Sequence, residues 1–243
     1  MPDVQYRRLD ELSDAELHRM YEPVEADWLR VNFVSSADGA ATLDGLSGPL
    51  SGEADKRVFK VLRTRCDVLL AGSGTVLAEG YGPLELSAER VAWRAERGLP
   101  DVPVMAVVSR SARLDPNAPL FTRAKRRPIV ICTADAAVEQ MADLREVADV
   151  IAVGTGAVDY RAAVTALRER GLKQILCEGG PTLFGSLVAD DLVDEFDLTV
   201  APLLVGGGPI RTAEGPTSEA ARRMRLGHVI EAGGNLMLRY LRG

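Results

Sequence analysis

A carboxylate followed at once by two glycines and a proline is the part of this sequence best suited to chemistry. Glu178 follows the apolar run 175–177, which is long enough for one buried strand, and Gly179 and Gly180 turn the chain before Pro181 begins a helix. Such a turn favours phosphate binding, because glycines let the backbone come close and free N–H groups at the helix start face the anion. A plain strand-to-helix turn explains the same glycines. Glu178 favours the functional interpretation, since α/β proteins place their chemistry at the C-terminal ends of central strands.

A second glycine turn follows another apolar strand. The run 67–72 predicts a buried strand, and it continues directly into Gly72-Ser73-Gly74-Thr75 and a helical pattern. The third glycine of the dinucleotide fingerprint is missing, so this turn is weak evidence for a dinucleotide when it is taken alone. A structural turn remains the alternative.

Two further polar residues follow predicted strands. Asp38 comes after the strand 29–34, where it either contacts a substrate or caps the next turn, and we slightly favour the cap. Arg110 comes after the strand 104–108, where a solvated side chain is the alternative to a ligand contact. The loop 43–52 is rich in small residues and is long enough to act as a lid.

The elements that position these residues alternate between strand and helix along the chain. This alternation predicts an α/β fold with a mostly parallel sheet flanked by helices. Near the end, the runs 228–231 and 236–240 are joined by Gly233-Gly234, which predicts an antiparallel hairpin at the sheet edge. We expect residues 1–27 to form an N-terminal extension with a helix over 10–21, docked on a single domain of residues 28–243.

Composition excludes several classes of protein. The net charge of −6 argues against a nucleic-acid surface, and no apolar run reaches the length of a membrane span. The three cysteines are far apart in apolar runs and predict buried free thiols, while the two histidines form no ligand pair and no metal is expected. The acidic start is not typical of a signal peptide, so we expect a cytoplasmic protein.

Five segments resemble one family in order and with its spacing. The segments are FVSSADG, LSGEAD, VLRTRCDVLLAGSGTVLAE, ILCEGGPTLFGSLV and DEFDLTVAPLLVGGG. Together they resemble the reductase domain of bacterial riboflavin biosynthesis, from about Trp28 to the C-terminus. The zinc deaminase that often accompanies this domain is not represented, because the sequence has neither its His-x-Glu nor its Pro-Cys-x-x-Cys motif. The resemblance implies a dihydrofolate-reductase-like fold.

The resemblance also implies a cofactor, a substrate and their contacts. It implies NADPH-dependent reduction of the ribose of 5-amino-6-(5-phosphoribosylamino)uracil, with Arg110 at the 2′-phosphate of the cofactor and Ser47, Arg63 and Glu178 on the substrate side. We take Glu178 and Asp38 as the candidate catalytic residues. The other cofactor-binding positions implied are Val34, Gly72, Gly74, Thr75, Gly179, Gly180, Pro181, Thr182, Leu183 and Phe184.

Two departures from the family pattern concern the substrate phosphate. Ala40 stands where the family usually has lysine, and Leu86 stands where an arginine usually grips the phosphate. Losing both cations weakens the grip on a sugar phosphate. A reductase of another heterocycle, such as a dihydropterin, is therefore one alternative, and a non-catalytic NADPH-binding protein is another. We also expect a homodimer that pairs through the sheet edge formed by 198–205 and the terminal hairpin.

Overall fold

The computed structural model describes residues 4–208, 210–215 and 221–243, and the chain divides into two compact units. The first unit contains Met1–Arg63 and Cys177–Gly243, and the second contains Thr64–Leu176. The strands are β1 Gln5–Arg8, β2 Trp28–Ser36, β3 Val68–Gly72, β4 Val104–Val108, β5 Ile129–Cys132, β6 Asp149–Ala152, β7 Gln174–Cys177, β8 Glu195–Ala201, β9 Met224–Ala232 and β10 Asn235–Arg242. The α-helices are α1 Asp14–Met20, α2 Glu53–Arg65, α3 Ser73–Ala78, α4 Ala88–Ala95, α5 Pro119–Thr122, α6 Val138–Val147, α7 Tyr160–Glu169 and α8 Pro181–Ala189.

The strands of the first unit lie in the order β1-β9-β10-β8-β2. The pairs β2–β8 and β1–β9 are parallel, whereas β8–β10 and β10–β9 are antiparallel. The predicted C-terminal hairpin is confirmed as β9 and β10. Its turn residues Gly233 and Gly234 have φ values of 57° and 82°, the positive range that a tight hairpin turn requires and that glycine adopts without strain.

The strands of the second unit lie in the order β7-β3-β4-β5-β6. The pairs β3–β4, β4–β5 and β5–β6 are all parallel, as the alternation of strands and helices predicts. Strands β3, β4 and β5 are buried almost along their whole length, which is why they read as continuous apolar runs. A core of Leu69, Val107, Val130 and Leu144 packs α6 against these strands.

The N-terminal residues contribute more to the fold than a docked extension. Residues Gln5–Arg8 form β1, which pairs with β9, and a 3₁₀ turn over Leu9–Glu11 follows. Helix α1 begins only at Asp14, because the Ser13 side chain accepts from the Glu16 N–H and the Glu16 side chain accepts from the Ser13 N–H in a capping box.

The edge expected for dimerisation is not free. Strand β8 ends at Ala201, before Pro202, and it pairs with β2 on one side and β10 on the other. The prediction that the run 198–205 offers a sheet edge is therefore wrong. On the outer side of the terminal hairpin, β1 pairs with residues 228–231 of β9.

A buried ion cluster holds residues 20–22 against the strands of the first unit. Glu195 accepts from Arg30 Nε at 2.7 Å, from Arg239 Nε at 2.8 Å and from Trp28 Nε1 at 2.6 Å. The two arginines also donate to the carbonyls of residues 20–22. Burial and the neighbouring Glu195 charge raise the pKa of Asp197, whereas the two guanidiniums overcome the burial penalty at Glu195 and lower its pKa to about 2. Sequence spacing gives no sign of this cluster.

Two classes of feature are absent from the residues described above. Within them, no helix has the length and hydrophobicity needed to cross a membrane. The same residues contain no group of three or more His, Cys, Asp or Glu side chains arranged to hold a metal ion. All three cysteines are buried and free, as predicted.

Candidate active site

The predicted strand, glycine turn and helix start are present after β7. Gly179 has a φ of +95°, and a Cβ there would lie 2.9 Å from Phe33 Cζ, so any side chain would collide with the ring as well as strain the backbone. The peptide bond between Gly179 and Gly180 is cis. Gly180 is the N-cap of α8 and has no side chain to accept from the first N–H groups, while Pro181 occupies the first helical turn. Gly179 thus lets the Phe33 ring pack directly against the turn, and Gly180 leaves the N-terminus of α8 without a side-chain cap.

Glu178 forms a bidentate ion pair with Arg63 directly before this turn. Arg63 Nε donates to Glu178 Oε1 at 2.7 Å, and Arg63 Nη2 donates to Oε2 at 2.6 Å. The Glu178 side chain is only 2% exposed and that of Arg63 is 25% exposed. The guanidinium also lies over the Phe59 ring, with its carbon 4.3 Å from the ring centroid. Two parallel hydrogen bonds fix the orientation of the carboxylate.

The side chains of the first residues of α8 differ in their exposure to solvent. Thr182 is exposed, but the side chains of Leu183 and Phe184 are buried. Phe184 lies 5.3 Å from Phe33 and 4.9 Å from Phe196 between ring centroids. Leu183 and Phe184 therefore support the helix from within the core, and the Phe184 N–H donates to the Gly180 carbonyl at 3.0 Å.

A segment of the first unit runs beside this helix start. The Glu214 N–H donates to the Pro181 carbonyl at 3.0 Å, and a Cβ on Gly185 would lie 2.0 Å from the Glu214 carbonyl oxygen. The Ala41 N–H donates to the Ile210 carbonyl at 2.9 Å. The segment 210–215 thus links the loop after β2 to the start of α8. The glycine within α8 was the one sequence signal for this close approach.

Asp38 serves as an anchor for the chain that follows β8. Its carboxylate accepts from the Gly206 N–H at 2.7 Å, from the Val205 N–H at 3.1 Å and from the Ser36 hydroxyl. These hydrogen bonds, that from Ser36 first, lower the pKa of Asp38 to about 2. Asp38 therefore anchors a segment distant in sequence, whereas the sequence interpretation had it cap the turn directly after β2. An ionised carboxylate of this kind is poorly suited to donate a proton near neutral pH.

The remaining candidates of the first unit lie near the end of β2. Val34 is buried in a small cluster with Leu50 and Ala201. Ser47 is half-buried, and its carbonyl accepts from the Leu50 N–H at the start of a 3₁₀ turn over Gly48–Leu50. Ala40, at the position of the family lysine, is fully buried. A buried alanine at this position offers no charge to a substrate phosphate.

The candidates of the second unit lie at the C-terminal ends of neighbouring strands. Gly72 ends β3 and is the N-cap of α3, with Gly74 exposed and Thr75 half-buried in that helix. Gly72 is in register with Val108 at the end of β4, two residues before the exposed Arg110. Parallel strands that end together bring these residues to one edge of the second unit.

The arrangement suits chemistry in which a bound cofactor carries the reactive group. The first unit has a buried, oriented carboxylate beside a helix start that has no side-chain cap. Gly180, with no side chain at the uncapped N-terminus of α8, fits the close approach of a pyrophosphate. The residues therefore fit a dinucleotide whose phosphates lie at the start of α8.

Comparisons with known proteins identify the family of this chain. The model of the RibD C-terminal domain family matches residues 27–238. A 2,5-diamino-6-ribosylamino-4(3H)-pyrimidinone 5′-phosphate reductase from Methanothermobacter thermautotrophicus is 34% identical over 84% of this chain and 95% of its own length. A reductase of the same description from Archaeoglobus fulgidus is 30% identical over 73% of this chain and 81% of its own. The crystal structure of a pyrimidine reductase-like protein from Corynebacterium diphtheriae has a TM-score of 0.85 at 25% identity, covering 95% of this chain and 98% of that one.

The fold and the comparisons define an oxidoreductase of the riboflavin-biosynthesis reductase class. The chain belongs to the RibD C-terminal domain family. The resemblance found in the sequence is therefore confirmed, as is the expected mixed, mostly parallel α/β fold with its C-terminal hairpin.

Proposed function

We propose that this protein uses NADPH to reduce the ribosyl group of a ribosylaminopyrimidine 5′-phosphate. The observation that carries the proposal is the buried Glu178–Arg63 pair directly before a glycine turn and helix start fit for a dinucleotide phosphate. The relatives named above act on the diaminopyrimidinone form of such a substrate. The sequence resemblance alone suggested the aminouracil form, which differs at ring position 2.

Each unit has its own part in the proposal. In the first unit, the Val34 main chain contacts the nicotinamide, and the N-terminus of α8 from Gly179 to Phe184 holds the pyrophosphate. In the second unit, the turn 72–75 contacts the cofactor's phosphates and ribose, and Arg110 contacts its 2′-phosphate. Ser47, Arg63 and Glu178 bind the substrate.

The proposed reduction requires no covalent intermediate between the protein and the substrate. A nicotinamide cofactor held by these residues would supply the hydride needed to reduce C1′ in the imine form of the opened ribosylamine. One proton must also reach the product amine. Glu178, held in one orientation by Arg63, binds the substrate and manages this proton. Asp38 stays ionised and holds residues 205 and 206 in place.

A second candidate is reduction of an unphosphorylated pyrimidine or pterin. The observation that favours it is the burial of Ala40 at the lysine position, together with the half-buried Leu86 at the arginine position. A phosphate with fewer cations around it gains less on binding and still bears its desolvation cost. A third outcome is a protein that binds NADPH without turnover.

Steady-state NADPH oxidation separates these functions. The substrates compared are the phosphorylated diaminopyrimidinone, the phosphorylated aminouracil, the dephosphorylated form of each, and dihydrofolate. The proposal predicts that a phosphorylated ribosylaminopyrimidine has the highest kcat/KM. A higher kcat/KM for a dephosphorylated form or for dihydrofolate would support the second candidate. Calorimetric NADPH binding with no turnover of any of them would indicate the non-catalytic role.

A further inference from the structure

The main chain of Arg211 lies directly beside the loop that follows β2. The Ala41 N–H donates to the Ile210 carbonyl at 2.9 Å. The donor belongs to the peptide unit that joins Ala40 to Ala41. The acceptor belongs to the peptide unit that joins Ile210 to Arg211. One hydrogen bond therefore connects the position of the family lysine to an arginine from a distant part of the chain.

The segment 210–215, which carries Arg211, is also fixed to the start of α8. The Glu214 N–H donates to the Pro181 carbonyl at 3.0 Å. Pro181 begins the helix after the glycine turn that follows Glu178. Arg211 thus lies between two contacts of the first unit, one with the loop after β2 and one with the helix start.

Arg211 is the cation that these loops offer to a ligand. The sequence has no lysine or arginine from residue 31 to residue 55, and Arg211 is the only one from residue 202 to residue 221. The Arg63 guanidinium is already engaged by two hydrogen bonds to Glu178. The Arg211 side chain is exposed, and within the described part of the chain no acidic side chain pairs with it. Its guanidinium therefore keeps its donors for a ligand.

A phosphate ester requires a group of this kind. A phosphate without a nearby cation bears its desolvation cost and gains no charge-assisted hydrogen bond. A planar guanidinium can donate two parallel hydrogen bonds to phosphate oxygens. We propose that Arg211 binds the 5′-phosphate of the ribosylaminopyrimidine and supplies the charge that Ala40 lacks. This inference rests on the proposed function, because it takes the substrate to be a phosphate ester.

Binding of ribose 5-phosphate tests the inference without requiring turnover. The full chain is titrated calorimetrically with ribose 5-phosphate and, separately, with NADPH. Losing a charge-assisted hydrogen bond lowers affinity by about 10- to 100-fold, so we expect this loss for ribose 5-phosphate in Arg211→Met and no change for NADPH. Arg211→Lys keeps the charge but not the two parallel donors, so it should recover part of the affinity.

Steady-state kinetics adds a readout that a merely structural role would not give. In Arg211→Met, kcat/KM for the phosphorylated diaminopyrimidinone should fall by about 10- to 100-fold, mainly through KM. The kcat/KM for its dephosphorylated form should not change, because that form has no phosphate for the arginine to bind.

Arg225→Met is the matched control. Arg225 is an exposed arginine of β9 in the same unit. Leu241 of β10 pairs with Arg225 on one side and with Glu195 on the other. Arg225 therefore lies at the end of the sheet where β8 begins, whereas Arg211 comes after the opposite end of that strand. The control should change neither the binding of ribose 5-phosphate nor the kinetics.

Four outcomes overturn the inference. They are an unchanged ribose 5-phosphate affinity in Arg211→Met, an equal loss of NADPH affinity, an equal fall in kcat/KM for the two forms of the pyrimidine, and no detectable binding of ribose 5-phosphate to the unaltered protein. Turnover of the phosphorylated pyrimidine that is unchanged in Arg211→Met refutes the inference alone. Loss of ribose 5-phosphate binding in that variant, in a protein that reduces no ribosylaminopyrimidine, refutes the proposed function alone.

Discussion

Substituting Arg63 and substituting Glu178 should lower the free energy of unfolding by unequal amounts. In Arg63→Met, a carboxylate that is 2% exposed loses its bidentate cation. Removing one partner of a buried pair costs about 3–5 kcal/mol, and we expect about 3 kcal/mol because Arg63 is itself 25% exposed. In Glu178→Gln, one acceptor oxygen remains and the guanidinium keeps its place over Phe59, so we expect about 1–2 kcal/mol.

The effects of these substitutions on kcat should not parallel their effects on the free energy of unfolding. If Glu178 manages the proton, Glu178→Gln lowers kcat by about 10²–10⁴-fold, the usual contribution of a positioned acid or base. NADPH affinity should change little in this variant. Arg63→Lys keeps the charge but not the two parallel hydrogen bonds, so kcat should fall although the pair stays charged. The control Glu53→Gln removes a carboxylate that pairs with Lys56 on the surface and should alter neither property.

Urea unfolding and steady-state kinetics on the same preparations measure both effects. Glu178→Gln with unchanged kcat would show that the carboxylate has no part in the reaction. Losses of stability below about 0.5 kcal/mol in both Arg63→Met and Glu178→Gln would contradict the burial argument, because changes of that size are typical of surface sites.

Three other predictions test the wider structure. Burial lowers the pKa of His228 from about 6.5 to about 4 in the folded protein. Between these pH values the unfolded chain binds a proton at this histidine and the folded protein does not. The free energy of unfolding therefore falls by about 3 kcal/mol as the pH drops from about 6.5 to about 4. His228→Gln should remove this part of the pH dependence in urea unfolding, and an unchanged slope would contradict it. Gly185→Ala places a Cβ against the Glu214 carbonyl and should cost about 1–3 kcal/mol and weaken NADPH binding, whereas Gly82→Ala, in open space, should not. We also expect a homodimer by sedimentation at micromolar concentration, formed through a surface other than β8, and a monomer there would refute it.

The sequence alone predicted those strands and turns whose signal lies in residues that are adjacent in the chain. Strands of the second unit are buried on both faces, so each is a continuous apolar run that can be recognised directly. The glycine turn before Pro181 and the Gly233-Gly234 hairpin depend on backbone conformations that few residues other than glycine adopt. The order of such segments was enough for the fold class and for the family.

The tertiary structure alone decided which side chains meet. Arg63 and Glu178 are 115 positions apart, and Asp38 meets Gly206 across 168 positions, so no local pattern links either pair. Strand β1 was missed because most of Gln5–Arg8 is polar and exposed, and its strand conformation depends on pairing with β9. Side chains that are far apart in sequence come together only when the strands and helices pack. The conformational preferences of neighbouring residues therefore do not indicate which distant side chain each one will contact.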